Sequence, residues 1–276
     1  MWSWKQHLLK PGAKPRIGDT RPPKNAPDRE KAEEMTTKTA LKIAEYQELL
    51  YAAGTHSILL LLQGMDGSGK DGTVRKVLGP VNPAGVNVTS FKAPTSRELA
   101  QDFLWRAHIA APPRGTIAVF NRTYYEDVLI VRVHADKLLP RHLRKIKNPW
   151  KQRYSEILQF EGLLTAANTR IMKCFLNISN EEQRDRFLDR QKEPDKQHKL
   201  TIADIQERTF WPVYMKTYEE VLSKTSTKEN PWLVVPSDAK WYRNLVVSQA
   251  ILEEFKSINP KPPGAADPEV LKMEIK

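Results

Sequence analysis

Ser57-Ile-Leu-Leu-Leu-Leu-Gln63 runs directly into Gly64-Met-Asp-Gly-Ser-Gly69-Lys70. An apolar run of strand length, without polar alternation, suits a strand covered on both faces, as in a parallel sheet. The Gly-x-x-x-x-Gly-Lys spacing that follows is that of a phosphate loop. Its glycines let the chain turn N–H groups inward, a helix opening at Lys70 adds its positive end, and the lysine brings a full charge. A strand before and a helix after are the context that such a loop requires.

Outward from this stretch, β-rich runs alternate with helical patterns. Strands are expected at residues 57–63, 85–91, 115–120, 170–178 and 232–235, and helices at 37–53, 70–78, 96–111, 150–167, 180–190, 202–222 and 241–255. Ser179 followed three residues later by Glu182 has capping-box spacing. Strand then helix, repeated five times, predicts an α/β fold with a doubly wound, parallel, five-stranded sheet. There is no internal repeat. The first 34 residues carry Pro11, Pro15, Pro22, Pro23 and Pro27 among basic residues and read as an arm that builds no core of its own. The arm lies over a neighbouring subunit or over its own, with Trp2 and Trp4 as its only hint of an anchor. Residues 35–257 form the compact unit, and the proline-bearing 258–276 a tail.

The chain of 276 residues carries 44 lysines and arginines against 33 acids, a net +11, which calls for a polyanionic partner or substrate. The single cysteine, Cys174, lies in an apolar run and is expected to be a small buried side chain in a reducing compartment. Apolar stretches fall far short of the roughly 20 residues that cross a bilayer, and no secretory h-region opens the chain. A cytoplasmic location without membrane attachment is expected. The seven tryptophans are scattered, and no basic-aromatic module or helix-turn-helix pattern appears, which argues against nucleic acid as the partner.

The loop departs from the ordinary nucleotide-triphosphatase pattern at one place. There, Ser or Thr follows the lysine and ligates magnesium; here the residue is Asp71. Asp66, inside the loop, is an oxygen ligand available in its stead. Ligands of parallel sheets bind outside the carboxyl ends of strands, so Asn121, Arg122, Glu126 and Asp127, just beyond the third strand, should face the same crevice. Arg122 can bridge phosphate oxygens, and Glu126 and Asp127 can bind a second metal or orient an attacking phosphate. A carboxylate pair at a helix start also serves as an ordinary cap.

Gly64-x-Asp66-x-x-Gly69-Lys70-x-Gly72, Lys92-Ala-Pro94-Thr95 and Asn121-Arg-Thr-Tyr-Tyr-Glu-Asp127 together resemble the family-2 polyphosphate kinases. Gln183-Arg184, Arg186, Arg190, Pro194, Lys199-Leu200, Asp204, Thr225 to Thr227, Pro231-Trp232, Pro236 and Lys240 extend the resemblance over roughly residues 35–255. It implies a P-loop kinase fold, thymidylate-kinase-like, with a helical lid at about 184–204. It also implies transfer of phosphate between inorganic polyphosphate and nucleotides, Mg2+ as cofactor with Mn2+ as substitute, adenine and further guanine nucleotides as partners, and a homotetramer. Asn121 and the Glu126-Asp127 pair are similar to the branch often called class III, whose members phosphorylate nucleoside mono- and diphosphates. His198 departs from the family, where tryptophan usually precedes the Lys-Leu pair.

By position, the resemblance makes Asp66, Lys70, Arg122 and Asp127 catalytic, with Asp66 and Asp127 as metal ligands. Substrate would be bound by Gly64, Gly67, Ser68, Gly69, Gly72, Thr73 and Arg75 in and after the loop, by Lys92 and Thr95, by Glu126, and by Arg184 and Arg190 of the lid. Arg184, Arg186 and Arg190 read as a cluster closing over phosphates. Between residues 141 and 200, 14 basic residues face 8 acidic ones, a charge suited to a polyanion. Two other functions stay open at this point, a nucleoside-triphosphate-dependent kinase on the same fold and a nucleic-acid-binding P-loop protein, which the basic balance permits; the competing mechanism is a phosphohistidine route, although none of the six histidines abuts the loop.

Overall fold

The computed structural model describes residues 2–264 and 267–275. Five parallel strands, β1 (Ser57–Gln63), β2 (Val86–Ser90), β3 (Ile117–Asn121), β4 (Thr169–Asn177) and β5 (Trp232–Pro236), form one sheet in the order β2-β3-β1-β4-β5. β1 is central because its side chains are apolar on both faces: Leu59 and Leu61 enter one core, Ile58, Leu60 and Leu62 the other. Each of these five side chains is at most 1% exposed, and such burial stabilises by about 1.5–3 kcal/mol per side chain. Helices α1 (Arg29–Ala53), α2 (Lys70–Leu78) and α11 (Lys240–Ile258) cover the second face. The first is covered by α4 (Trp105–Ile109), α7 (Pro149–Ala166) and α10 (Trp211–Thr225). This is the doubly wound α/β fold expected, and Cys174 is buried as expected.

The strands fall where the sequence places them, and α2 has the expected ends. Two expected helices are divided. Over 96–111, α3 (Ser96–Leu99) stops and α4 begins at Trp105, because the Asp102 carboxylate accepts the Leu104 N–H and takes the chain out of helical pairing. Over 202–222, α9 (Ile202–Glu207) passes through a 3-10 turn into α10, whose second residue is Pro212, a residue that a helix tolerates in its first turn. The short helices α5 (Ile130–Val133) and α6 (Ala135–Leu138), and α8 (Asn180–Lys192) after β4, complete the set used below.

The arm packs on its own chain. Leu9 N–H donates to Trp232 O at the free edge of β5, Trp2 Nε1 donates to the Tyr242 hydroxyl, and Asn177 Nδ2 donates to the carbonyls of Ile17 and Asp19. α1 opens at Arg29, capped by Asp28. Residues 265, 266 and 276 of the expected tail lie outside the described residues. Among those described, no helix is long and apolar enough to cross a membrane.

Candidate active site

β1 ends in Gln63, and the loop Gly64–Gly69 follows at the carboxyl end of this central strand. Gly64, Gly67 and Gly69 all have positive φ, of 151°, 82° and 99°. A side chain at Gly64 would meet Leu176 O at 2.7 Å, so glycine is required there both by conformation and by space. Lys70, the first residue of α2, is buried and donates from Nζ to Gly64 O (2.8 Å) and Met65 O (3.4 Å). Burial lowers its pKa, which leaves an ammonium poorly compensated and receptive to an anion. The Ser68 hydroxyl is buried and has no partner among the described residues.

From outside, the loop is held by two arginines. Arg186 of α8 donates to Gly67 O (2.8 Å) and Ser68 O (3.2 Å), and through its other nitrogen to Ser237 O and Asp238 O; Arg243 of α11 donates to Ser68 O (3.1 Å). Arg186 is buried and belongs to the loop's scaffold, so the expected grouping of Arg184, Arg186 and Arg190 as lid arginines is corrected. Helical spacing turns Arg184 outward, where it is exposed, whereas Arg190 is half-buried over the Phe187 ring and donates to Lys199 O.

β3 delivers the second half of the site. Arg122 takes a left-handed backbone (φ 63°), strained for a residue with a Cβ, and Arg122 Nη2 reaches back to Asp66 Oδ1 at 2.8 Å. Burial works against the Asp66 charge, but Lys70 and Arg122 outweigh it and hold the carboxyl below its usual range. Asn121 donates to the Asp71 carboxylate. Thr123 caps the 3-10 turn Tyr124–Val128 and donates to Gln63 Oε1 (3.1 Å), while Gln63 Nε2 donates to Glu126 Oε1 (2.9 Å). Burial raises the Glu126 pKa, opposed by that hydrogen bond and by Lys70 and Arg122. Burial raises Asp127 to about 6, against Arg153 and Arg106.

Asp66, Arg122 and Glu126 share one pocket with Gln183 of α8, Asp204 and Glu207 of α9, Arg208, and Tyr214 and Tyr218 of α10. Asp127 does not line this pocket; the charges acting on it are those of Arg153, Arg106 and its neighbour Glu126. Asp66 and Asp127, expected together as metal ligands, are thus not brought into one pocket. Gly72 and Thr73 form the first turn of α2, where Thr73 Oγ1 donates to Gly69 O (3.1 Å). Arg75 is exposed one turn further. Lys92 and Thr95 follow β2, whose last residue Ser90 pairs with Asn121, so they stand at the same sheet edge but outside the pocket; Thr95 caps α3. A larger cleft of about 1490 Å³ lies under the arm, away from these residues.

Gln63 and Arg243 escape the sequence reading. Gln63 had a signal, a polar residue closing an apolar strand at the edge where ligands bind; Arg243, 175 residues beyond Ser68, had none. Among the described residues no three His, Cys, Asp or Glu side chains form a metal cage. Magnesium commonly uses one or two carboxylates and completes its sphere with water and phosphate oxygens. The exposed edge of Asp66, with Glu126 across the pocket, fits that donor set.

The model of the family described as polyphosphate kinase 2 matches residues 26–263. An ADP-polyphosphate phosphotransferase of Rhodopseudomonas palustris is 46% identical over 84% of this chain and 83% of its own length. An AMP/ADP-polyphosphate phosphotransferase of Meiothermus ruber is 43% identical over 82% and 83%. The crystal structure of polyphosphate kinase 2 from Arthrobacter aurescens superposes with a TM-score of 0.83 at 37% identity, covering 90% of this chain and 86% of that one. The matched span takes in the loop, the strand-end turn and α8, and this enzyme therefore belongs to the polyphosphate kinase 2 family.

Proposed function

We propose that the protein transfers phosphate from inorganic polyphosphate to nucleoside mono- and diphosphates, AMP to ADP and ADP to ATP, reversibly. The observation that carries the reading is the rewired loop: Asp71 stands where a triphosphatase has its metal-binding hydroxyl and is engaged by Asn121, while Asp66 faces the pocket with Arg122 and Lys70. The net charge of +11 supports a polyanionic donor.

The terminal phosphate oxygen of the nucleotide attacks the end phosphorus of the chain in line, and the bond to the next bridging oxygen breaks, leaving polyphosphate one unit shorter. No nucleophilic side chain is needed. Lys70 and the inward N–H groups of the loop bind the phosphoryl group in transfer. Arg122 exchanges its Asp66 partner for phosphate oxygens of the chain, and Arg190 reaches the same anion from the lid. Glu126, oriented by Gln63, and Asp127, beside Arg106 and Arg153, position the acceptor. Asp66 would hold Mg2+, or Mn2+ as substitute, with Asp127 for a second ion, and the metal would supply neutralisation of phosphate charge. Guanine nucleotides as further acceptors, a homotetramer and a cytoplasmic location belong to the same reading.

Donor competition tests it. AMP is offered with magnesium and either labelled polyphosphate or labelled ATP; label entering ADP from polyphosphate is expected. Label entering from ATP alone would make this a nucleotide-driven kinase instead.

A further inference from the structure

Glu126 and Asp127 are preceded by Tyr124 and Tyr125 in one 3-10 turn, and both tyrosines are buried side by side, their rings tilted by 30° with centroids 5.1 Å apart. Their hydroxyls donate to one and the same atom, Glu161 Oε1 of α7, at 3.0 and 2.7 Å. The other oxygen, Glu161 Oε2, accepts from Lys173 Nζ of β4 at 2.7 Å. That ammonium also donates to Thr225 O (2.6 Å) and to the Tyr125 hydroxyl (3.3 Å), so its three donors are all used. Trp232 closes the cluster, its ring centroid 5.5 Å from Nζ and its indole N–H donating to Thr225 Oγ1.

The ion pair is fully enclosed, with side chains 0% and 1% exposed, and nothing in the proposed mechanism uses either charge. An enclosed pair is a poor source of stability, since apolar replacements of similar volume are often neutral or better. Its geometric effect is specific, however. In so short a turn, fixing two consecutive side chains toward the core fixes the direction in which the next two leave it. Glu126 then meets Gln63 at the pocket, and Asp127 is left in the field of the Arg153 and Arg106 charges.

We propose that the buried Glu161–Lys173 pair is a positioning element of the active site, which anchors Tyr124 and Tyr125 and thereby aims Glu126 and Asp127 at the acceptor nucleotide. The proposal rests on the acceptor-side role given to those carboxylates above. Glu161 and Lys173 act through the tyrosines and touch no substrate.

Two replacements that are both neutral and both fill the space separate anchoring from charge and from folding. E161L/K173M removes the acceptor for the tyrosine hydroxyls; E161Q/K173M keeps one in the glutamine carbonyl. The expected result for the full-length enzyme is a kcat with ADP about 10²-fold lower in E161L/K173M, the scale of a small misplacement of reacting groups. The KM for polyphosphate should stay within twofold, because the loop side is untouched, and E161Q/K173M should recover kcat to within about threefold of wild type. A folded E161L/K173M with wild-type kcat would overturn the proposal. Should that variant fail to fold, Y124F/Y125F removes the same two hydrogen bonds from the other side with the rings in place; the same loss of kcat is expected, and an unchanged kcat would equally overturn it. D127N and E126Q are run in parallel. Wild-type rates in both would refute the acceptor-side reading itself, whereas slow rates there with a fast E161L/K173M would refute only the positioning role.

Discussion

Replacing Arg186 by methionine should damage the phosphate loop from behind. The guanidinium spans four carbonyls, Gly67 O at 2.8 Å, Ser68 O at 3.2 Å, Ser237 O at 2.7 Å and Asp238 O at 2.8 Å, and is only 7% exposed. A hydrogen bond to a charged group is worth about 1.5–3 kcal/mol. The four are not additive, and water can satisfy some of the freed carbonyls, so a loss of about 3–6 kcal/mol is expected. At about 2–4 °C per kcal/mol for a chain of this size, the midpoint of thermal unfolding should fall by roughly 6–24 °C. The carbonyls freed belong to Gly67 and Ser68 of the phosphate loop itself, so the folded variant should also lose about 10² in kcat. Arg184→Ala, two residues away and exposed, should stay within about 0.5 kcal/mol and keep its rate. Thermal unfolding by circular dichroism and steady-state kinetics with ADP read both effects. An Arg186→Met protein that melts within about 2 °C of wild type and turns over within twofold of it would refute the scaffold role.

Three further outcomes are expected. Lys70→Ala and Asp127→Asn should each lower turnover by about two to three powers of ten, as loss of a preorganised charge contact does, and near-native initial rates in either would sink that residue's role. Raising salt from 50 to 200 mM should raise the KM for polyphosphate by on the order of tenfold, since binding a polyanion releases condensed counterions; a salt-independent KM would deny the electrostatic account. Burial pulls His7 of the arm down to about 4, below its ordinary 6.5, with its ring 2.7 Å from the Tyr242 hydroxyl. A free arm therefore takes up a proton that the docked arm refuses, so docking is complete at pH 7 and weakens as pH falls from about 6.5 toward 4. Limited proteolysis of residues 2–24 should follow that window and lose it in His7→Gln; protection that is flat from pH 7 to about 4.5 would contradict it.

Most of the fold was legible because β1, β3 and β4 are apolar on both faces, a pattern that only covered sheet strands need. The phosphate loop was legible because its glycines are demanded by local backbone geometry, and local demands are written locally. What failed to show was tertiary. Asp102 and Pro212 divide helices whose periodicity reads as continuous. Arg184, Arg186 and Arg190 look alike in a basic helix, and only the packing of α8 against the loop makes Arg186 a scaffold. Glu161 and Lys173 are an unremarked acid and base until a helix and a strand bring them together under Tyr124 and Tyr125. The arm's composition shows that it has no core of its own, but not that the free edge of β5 receives it.

Whether polyphosphate is the donor is decided by ATP formation. Purified enzyme is given magnesium and long-chain polyphosphate with ADP in one reaction and AMP in another, beside controls without polyphosphate and with Lys70→Ala. ATP from ADP, and ADP followed by ATP from AMP, both dependent on polyphosphate and both nearly lost in Lys70→Ala, are predicted. No ATP in either reaction, with phosphate transferred to AMP only when ATP is supplied, would contradict the account.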